Sequence, residues 1–448
     1  MTKKQVIIYT IIIIMLIAAT GGMWVLIANT LNSANNTNSG APSANMSEMS
    51  SNSSVEYSAV KKIEADETIT SGEYNSDSSD ENAILVTGEV TADLSGIKVT
   101  KTGDSDGGDN TSFYGNNSAI LAKSGATLNI TDATIETNAT GANGVFSYGG
   151  SATTTNTASD GTTVNISDSV ITTTSDNSGG IMTTGGGVMN AKNLTITTAG
   201  ISSAAIRSDR GGGTVKVEGG TYQTSGQGSP TIYSTADITV KDATLVATAS
   251  EGVVIEGKNS VTLDNVKLTD TNNKLNGQST TYKNIFLYQS MSGDADTGEA
   301  VFTAKNSAIT TNQGDSFYVT NTTATINLEN NEIINNDASG YFLRIQKDSW
   351  GNSGSNGGVV KMNLTNQKAD GDIYVDEISG LSLNFADGSV YTGAINSENL
   401  GEVNVTLDAS SKIILTGDTN LTSLTNADST NGNIVKNGYK LFVNGVEI

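Results

Sequence analysis

Residues 238–268 read ITVKDATLVATASEGVVIEGKNSVTLDNVKL, and this stretch contains the same pattern twice. It opens with ITVKDATL and closes, 23 residues later, with VTLDNVKL. In each copy, apolar residues lie four and two positions before a turn residue, Asp242 or Asn265, and a third lies three positions after it. Alternation with a period of two is typical of a β-strand that buries one face. The repeated pattern therefore predicts a structural unit of short strands that recurs along the chain.

The same pattern recurs along most of the chain, with short steps of 21–26 residues and long steps of 36 or 41. Its reference positions are Gly96, Asp132, Asp168, Asn193, Gly219, Asp242, Asn265, Asn306, Asn330, Asn366, Asp387 and Ala409. All 24 residues four and two positions before them are apolar. Three positions after, 11 of 12 are apolar, and only Lys412 breaks the column. Asn, Asp and Gly tolerate a left-handed turn, so the reference column predicts a ladder of turns.

A unit of about two dozen residues cannot bury its apolar face alone, so neighbouring units must stack. The sequence therefore predicts an all-β parallel β-helix solenoid of about twelve coils over residues 65–430, with the long steps carrying surface insertions. A second strand precedes each reference turn, as in SPTIYSTAD (229–237) and EGVVIEGKN (251–259). The C-terminal KNGYKLFVNGVEI contains two Asn-Gly turns, which predict a capping β-hairpin within residues 431–448.

The first 28 residues predict an N-terminal transmembrane helix. Residues 6–28 carry no charge, and 23 residues in a helix span roughly 35 Å, enough to cross a bilayer. Lys3 and Lys4 would keep the N-terminus in the cytoplasm and place the remainder outside the cell. The alternative is a signal peptide that is cleaved, which would make the protein secreted. Residues 29–64 are expected to be a polar, flexible linker.

The composition argues against several classes of protein. The net charge is −22, which argues against nucleic acid as a partner because nucleic acid requires a basic surface. The chain has no Cys and therefore no disulfide or thiolate zinc site. It also has no His, the commonest general base and metal ligand. We expect no cofactor on these grounds, and the sequence leaves the oligomeric state open.

Residues 65–448 resemble bacterial and archaeal cell-surface proteins of the right-handed parallel β-helix type, often called adhesin-like. The resemblance rests on the coil pattern and on the segments NTSFYG (110–115), GANGVF (141–146) and DRGGGTVKVEGGTY (209–222). It implies a right-handed β-helix and export from the cell.

The same fold is found in pectate lyases and polygalacturonases, whose chemistry can be compared with this chain. Polygalacturonase-like enzymes carry a catalytic His, which is absent here. Pectate-lyase-like enzymes use an Arg within an R-x-P-x-x-R type motif, and none of Arg207, Arg210 and Arg344 is followed by it. The sequence therefore does not predict an enzyme of either type.

The second strands supply the main candidate site. In eight coils, the residue that follows the inward apolar position of the second strand is expected to point outward. These residues are Met182, Arg207, Tyr233, Glu256, Tyr288, Tyr318, Arg344 and Tyr374. Neighbours in such a stripe lie about 4.8 Å apart. Tyr rings offer apolar faces to sugar rings, while Arg and Glu offer hydrogen bonds to hydroxyl groups. The alternative is that Tyr is simply a good strand former on an exposed sheet.

Two insertions supply further candidates. Asp104, Asp106 and Asp109 could offer oxygen ligands to calcium, although their spacing matches no known calcium loop and a solvated acidic loop is the alternative. Trp350 lies in the glycine-rich segment DSWGNSGSNGG (348–358), where it is either a ligand contact or a cover for the flank of the helix.

Together these features predict a non-catalytic, adhesin-like extracellular protein. It would be anchored in the membrane by its N-terminal helix and would bind a glycan of a cell wall or host surface along an exposed Tyr/Arg/Glu stripe. One alternative is a polysaccharide lyase or glycoside hydrolase that uses Arg207, Glu256 or Asp209. Another is a structural spacer or envelope component without a ligand.

Overall fold

Short strands follow one another around three long sheets in the computed structural model, which describes residues 55–150 and 159–448. The chain passes through sheets A, B and C in turn, and one such passage forms one coil. Strands that share a sheet pair in parallel with the strands of the next coil, as Asp237–Lys241 pairs with Ser260–Asp264. This all-β architecture fits the predicted parallel β-helix.

The strands of sheet A are Ser58–Ile63, Glu81–Thr87, Ile120–Lys123, Val145–Tyr148, Ile181–Thr184, Ile206–Ser208, Ile232–Ser234, Val253–Glu256, Lys283–Tyr288, Asp315–Thr320, Leu343–Ile345 and Ile373–Val375. Those of sheet B are Glu67–Ile69, Thr91–Ser95, Thr127–Thr131, Thr163–Ser167, Gly187–Lys192, Gly213–Glu218, Asp237–Lys241, Ser260–Asp264, Glu299–Lys305, Thr323–Glu329, Val359–Thr365, Gly380–Ala386, Glu402–Leu407 and Ser423–Asn426. Those of sheet C are Gly72–Ser76, Ile97–Lys101, Thr134–Thr137, Val170–Thr173, Thr195–Thr198, Thr221–Thr224, Thr244–Ala247, Lys267–Asp270, Ala308–Thr311 and Glu332–Asn335.

Two smaller sheets complete the C-terminal end. The first follows sheet C along the chain and consists of Lys368–Asp370, Val390–Thr392, Lys412–Ile414 and Ile434–Val435. The second consists of Thr419–Leu421, Leu441–Val443 and Val446–Glu447. Its last two strands are antiparallel around Asn444-Gly445, which is a hairpin within the predicted cap. One short helix, Asp109–Tyr114, lies in the insertion that precedes Ile120.

Sheet B extends beyond the predicted repeats at both ends. In the described part of the chain it has 14 strands, and its first and last strands, Glu67–Ile69 and Ser423–Asn426, lie outside the twelve repeats read from the sequence. The strand Ser58–Ile63 lies within the stretch 29–64 that the sequence assigns to the linker, so the sheets begin before residue 65. The predicted transmembrane helix, residues 1–28, lies outside the described residues. Within those residues, no helix combines the length and apolar character that crossing a bilayer requires.

The predicted turn ladder is present between sheets B and C. Eleven of the twelve reference residues have a positive φ, as in Asp242 (54°) and Asn265 (55°), and only Ala409 does not. Asn265 Nδ2 donates a hydrogen bond to Asp242 Oδ1 at 2.6 Å, and Asn330 donates to Asn306 at 2.8 Å. The left-handed conformation and the amide ladder together explain why Asn and Asp dominate this column.

The apolar columns form the core inside the three sheets. The residues four and two positions before each reference turn are all buried. The third column is buried as far as the last coils except at Ile333, which is partly buried. In the last coils Tyr391 and Ile413 point inward and Val390 and Lys412 do not. The turn in these two coils is one residue longer, which moves the inward position from three to four residues after the reference. The exception at Lys412 is therefore a change of turn length and not a break in the core.

Candidate functional site

The outer face of sheet A carries the predicted stripe, but its register differs from the prediction. Neighbouring coils align Met182, Arg207, Tyr233, Val254, Phe286, Tyr318, Arg344 and Tyr374 in one row. Glu256 and Tyr288 lie two residues further along their strands, where they pair with each other. A shift of two residues keeps the same side chains facing outward, so the apolar alternation in EGVVIEGKN could not distinguish the two registers.

Half of the stripe is buried and none of it is fully exposed, which differs from the predicted exposed groove. Four of its eight residues are buried, among them Tyr318 (0 % exposed), Glu256 (1 %) and Tyr288 (9 %). The other four, Arg207, Tyr233, Arg344 and Tyr374, are partly exposed. The cause is that segments between the strands fold back over sheet A and cover its outer face.

The N-terminal part of this face is covered by the helix Asp109–Tyr114. Beneath it, four side chains of neighbouring coils form a small apolar cluster, which consists of Leu85, Leu121, Phe146 and Met182. The carbonyl oxygen of Phe113 accepts a hydrogen bond from Thr184 Oγ1 at 2.7 Å, and the Arg210 guanidinium lies 4.0 Å from the centre of the Phe113 ring. The segment NTSFYG thus has a structural role as a cover.

Glu256 occupies the middle of the face and accepts hydrogen bonds from three hydroxyl groups. Tyr233 donates to Glu256 Oε2 at 2.5 Å, Tyr288 donates to the same oxygen at 3.0 Å, and Ser290 donates to Oε1. Burial raises the pKa of Glu256, and the hydrogen bonds from Ser290 and Tyr233 oppose that rise. The pKa values of both tyrosines are raised, chiefly by burial, so their hydroxyl groups stay protonated and act as donors.

A second buried carboxyl group, Asp209, lies beside this network. Arg207 Nη2 donates to Asp209 Oδ2 at 3.0 Å, and both side chains are almost inaccessible. Burial raises the pKa of Asp209 to about 7, against the opposing effect of Arg207, and the charge of Glu256 raises it further. The structure therefore brings together Arg207, Asp209 and Glu256, the three residues of the enzymatic alternative.

The segment 289–298 closes over these carboxyl groups. Its Ser290 binds Glu256, and its Asp294 forms an ion pair with Arg210 at 2.7 Å. Met291, at its tip, has a φ of 66° and is 59 % exposed. The adjoining cavity of about 80 Å³, lined by Gly211, Thr235, Lys258, Asp294 and neighbouring residues, is too small for a sugar chain.

Trp350 covers the part of the face that follows Glu256, which is one of its two predicted roles. Its ring lies 5.3 Å from Phe286 and 5.3 Å from Tyr288, measured between ring centres. These contacts and the buried Tyr318 form a second apolar cluster on the outer face. The Trp350 ring therefore packs against side chains of the protein itself.

The last part of the row remains open and forms what we call the tyrosine platform, which consists of Tyr341, Arg344 and Tyr374. The Arg344 guanidinium lies 4.3 Å from the centre of the Tyr341 ring and 5.4 Å from that of Tyr374. The two rings are 5.7 Å apart. Asp315, 1 % exposed, accepts hydrogen bonds from Arg344 Nε at 2.6 Å and from the backbone of Tyr341 at 2.7 Å. A buried carboxylate thus fixes both an Arg and a neighbouring Tyr.

Tyr341 and Asp315 were not among the predicted site residues. Both lie at or just before the start of a sheet A strand, outside the column used to read the stripe. A sequence signal existed, because the segment GYFLRIQK places Tyr341 three residues before Arg344.

The predicted calcium ligands are not brought together. Asp104 accepts the backbone N–H of Thr140 at 2.7 Å, and Asp106 accepts that of Gly108 at 2.9 Å. Asp109 lies in the first turn of the short helix. Within the described residues, no group of three or more carboxylates is close enough to hold a metal ion.

An open groove of about 570 Å³ runs along the outer face of sheet B. Its floor carries a ladder in which Asn165 donates to Asn129 at 2.8 Å and Asn190 donates to Asn165 at 2.9 Å. Along its edge, one row of paired positions alternates in charge over six coils, in the order Lys192, Glu218, Lys241, Asp264, Lys305 and Glu329. This charge ladder was not among the predicted features, although each member directly precedes a reference residue.

No family model matches the chain, and a search of curated protein sequences finds no match. A function for this chain can therefore be proposed only from the chemistry of its outer surface.

Proposed function

We propose that the protein is a non-catalytic, adhesin-like surface protein that binds a polysaccharide at the tyrosine platform. In this proposal a right-handed β-helix presents the platform outside the cell, and residues 1–28 hold it at the membrane. The polymer would be a neutral or mixed glycan of a cell wall or host surface, because a net charge of −22 disfavours polyanions.

The observation that carries the proposal is the fixed, partly exposed Arg344 between two Tyr rings. A guanidinium group has five N–H donors, and three donate to Asp315 and Gln346 within the described residues. Two donors remain for sugar hydroxyl groups, and the Tyr rings offer apolar surface beside them. Because Asp315 already orders the Arg side chain, binding loses less side-chain entropy than it would at a mobile Arg.

The test is binding of the protein to a panel of polysaccharides, with Tyr374→Ala and Tyr341→Ala measured beside the wild type. We expect each variant to bind about tenfold more weakly, a loss of about 1.4 kcal/mol. Tyr439→Ala is the matched control, because Tyr439 is 43 % exposed and lies outside sheet A. Equal binding by all three variants would move the site away from the platform, and absence of binding to every polymer would favour the structural spacer.

A second candidate function is polysaccharide cleavage, favoured by the contact between Arg207 and the buried Asp209 beside Glu256. A carboxyl group with a pKa near 7 can act as a general acid, and an ionised neighbour can act as base or nucleophile. Substrate would reach them only if the segment 289–298 moved away. Cleavage would release reducing ends or unsaturated sugars, and Arg207→Ala would abolish it. Retention of a polymer without any product would exclude this candidate.

A further inference from the structure

Lys283 is enclosed by aromatic rings at the first position of its sheet A strand. Its side chain is 0 % exposed, and Nζ lies 4.3 Å from the centre of the Phe286 ring, 4.8 Å from Tyr318 and 5.8 Å from Trp350. Nζ donates hydrogen bonds to Ser279 Oγ at 2.8 Å and to the Thr281 carbonyl oxygen at 2.9 Å. Nζ therefore has two hydrogen-bond acceptors, and aromatic rings occupy the remaining space around it.

The carboxyl group nearest to this amine is Glu251, whose Oε1 lies 4.0 Å from Nζ and whose side chain is 6 % exposed. This separation is beyond hydrogen-bonding distance, so the two groups do not form a hydrogen-bonded ion pair. Ser250 Oγ donates to Glu251 Oε2 at 2.7 Å and holds the carboxyl group in place. Other carboxylates near Lys283 have partners, since Asp315 accepts from Arg344 and Asp348 accepts from Tyr318 at 2.6 Å.

A third buried group, Asp270, completes the arrangement. It is 0 % exposed, and its Oδ1 has no hydrogen-bond partner among the described residues. Burial, and after it the charge of Glu251, raises the pKa of Asp270 well above its usual value, which favours the protonated acid. Burial also lowers the pKa of Lys283, which favours the neutral amine. Asp270 therefore lies close enough to Glu251 for their charges to interact, and a buried acid beside a carboxyl group can donate and accept protons during amide formation.

We propose that Lys283 and Glu251 condense to an intramolecular isopeptide bond, with Asp270 as the proton donor and acceptor. The lysine first gives one proton to the Glu251 carboxylate. Its Nζ lone pair then forms a bond to Glu251 Cδ, and Asp270 gives its proton to the leaving oxygen. One C–O bond breaks, the oxygen leaves as water with this proton and the proton already on the carboxyl group, and one nitrogen proton returns to Asp270. No oxidant or other reactant is consumed. The bond would join two neighbouring coils across the insertion 271–282, which is a modification beyond the proposed binding function.

Peptide mapping of the full-length, denatured protein tests this proposal directly. Trypsin cleavage at lysines places Glu251 in peptide 242–258 and Lys283 at the end of peptide 275–283. An isopeptide bond blocks cleavage after Lys283, so we expect one branched species that joins 242–258 to 275–305 and is lighter than their sum by one water. Recovery of free 242–258 and free 275–283 in full yield from the wild type would overturn the proposal.

Two variants test the assigned roles. In Lys283→Met, peptide 242–258 must be free, because the nucleophile is absent. In Asp270→Asn, we expect the branched species to be at least tenfold less abundant after the same time, while Ser279→Ala, which removes one acceptor of Nζ, retains it. Wild-type yield of the branched species in Asp270→Asn would overturn the role of Asp270.

Discussion

Replacement of Asn306 separates the two contributions of the turn ladder to stability. Asn306 has a φ of 50°, and its Oδ1 accepts a hydrogen bond from Asn330 Nδ2 at 2.8 Å on the exposed surface. An alanine forced into the left-handed conformation costs roughly 1–2 kcal/mol, and loss of an exposed hydrogen bond costs about 0.5–1 kcal/mol. We therefore expect Asn306→Ala to destabilise the coil by about 2 kcal/mol.

Glycine at the same position loses the hydrogen bond but accepts the left-handed conformation. It also increases the entropy of the unfolded chain, which costs about 0.4–1 kcal/mol. Asn306→Gly should therefore cost about 1 kcal/mol, which is about 1 kcal/mol less than Asn306→Ala. The control is Ala409, the one reference residue without a positive φ. There Ala→Gly should be destabilising, because no left-handed conformation is relieved.

Hydrogen exchange is the suitable assay, because a stack of repeats need not unfold in one step. The informative amides lie in the strands Glu299–Lys305 and Ala308–Thr311, on either side of the turn. A difference of 1 kcal/mol corresponds to about fivefold faster exchange in Asn306→Ala than in Asn306→Gly. Exchange that is equal in the two variants, or faster in the glycine variant, would refute the left-handed turn as the reason for Asn in this column.

Two further predictions concern charged groups. Glu218→Lys should destabilise the stack by about 1 kcal/mol at low salt, because Glu218 forms an ion pair with Lys192 at 3.3 Å and a lysine in its place would be repelled. Thermal denaturation measures this loss, which should be smaller at high salt because salt screens the repulsion. The pKa of Asp209 is about 7 in the folded protein and about 4 in the unfolded chain, so the folded protein binds this proton more tightly. The free energy of unfolding therefore decreases as the pH rises between these two values. Between pH 5 and pH 8, Asp209→Asn should therefore lose about 2 kcal/mol less stability than the wild type in urea unfolding; an equal loss would contradict the raised pKa.

The core and the turns could be predicted from the sequence because each is constrained one residue at a time. A position inside the sheets has to be apolar, and a left-handed turn favours Asn, Asp or Gly, so both columns appear at every repeat. The one misplaced pair, Val390 and Lys412, follows from a turn with one additional residue, since Tyr391 and Ile413 take the inward positions. The next residue in the sequence was apolar in both coils, and this was the signal for the longer turn.

The candidate site could be predicted only in part, because the exposure of its side chains depends on segments that are distant in sequence. Arg344 and Tyr374 were assigned to the outer face correctly, but Tyr318 on the same row is buried beneath contacts made by Trp350 and Lys283. The periodicity of the second strands does not indicate which insertion folds over which coil. An outward position in a repeat is therefore a prediction of direction and not of exposure.

The distribution of insertions explains why the outer face of sheet A differs from coil to coil. The connection from sheet B to sheet C stays short, as between Asp264 and Lys267. The long insertions instead precede or follow sheet A, as in 102–119, 271–282, 289–298 and 346–358. A left-handed ladder with hydrogen-bonded amides leaves room for one added residue at most in the described coils, whereas the ends of sheet A strands accept long insertions. Changes in length therefore accumulate around one face, where they bury Glu256 and Lys283 and leave the tyrosine platform open.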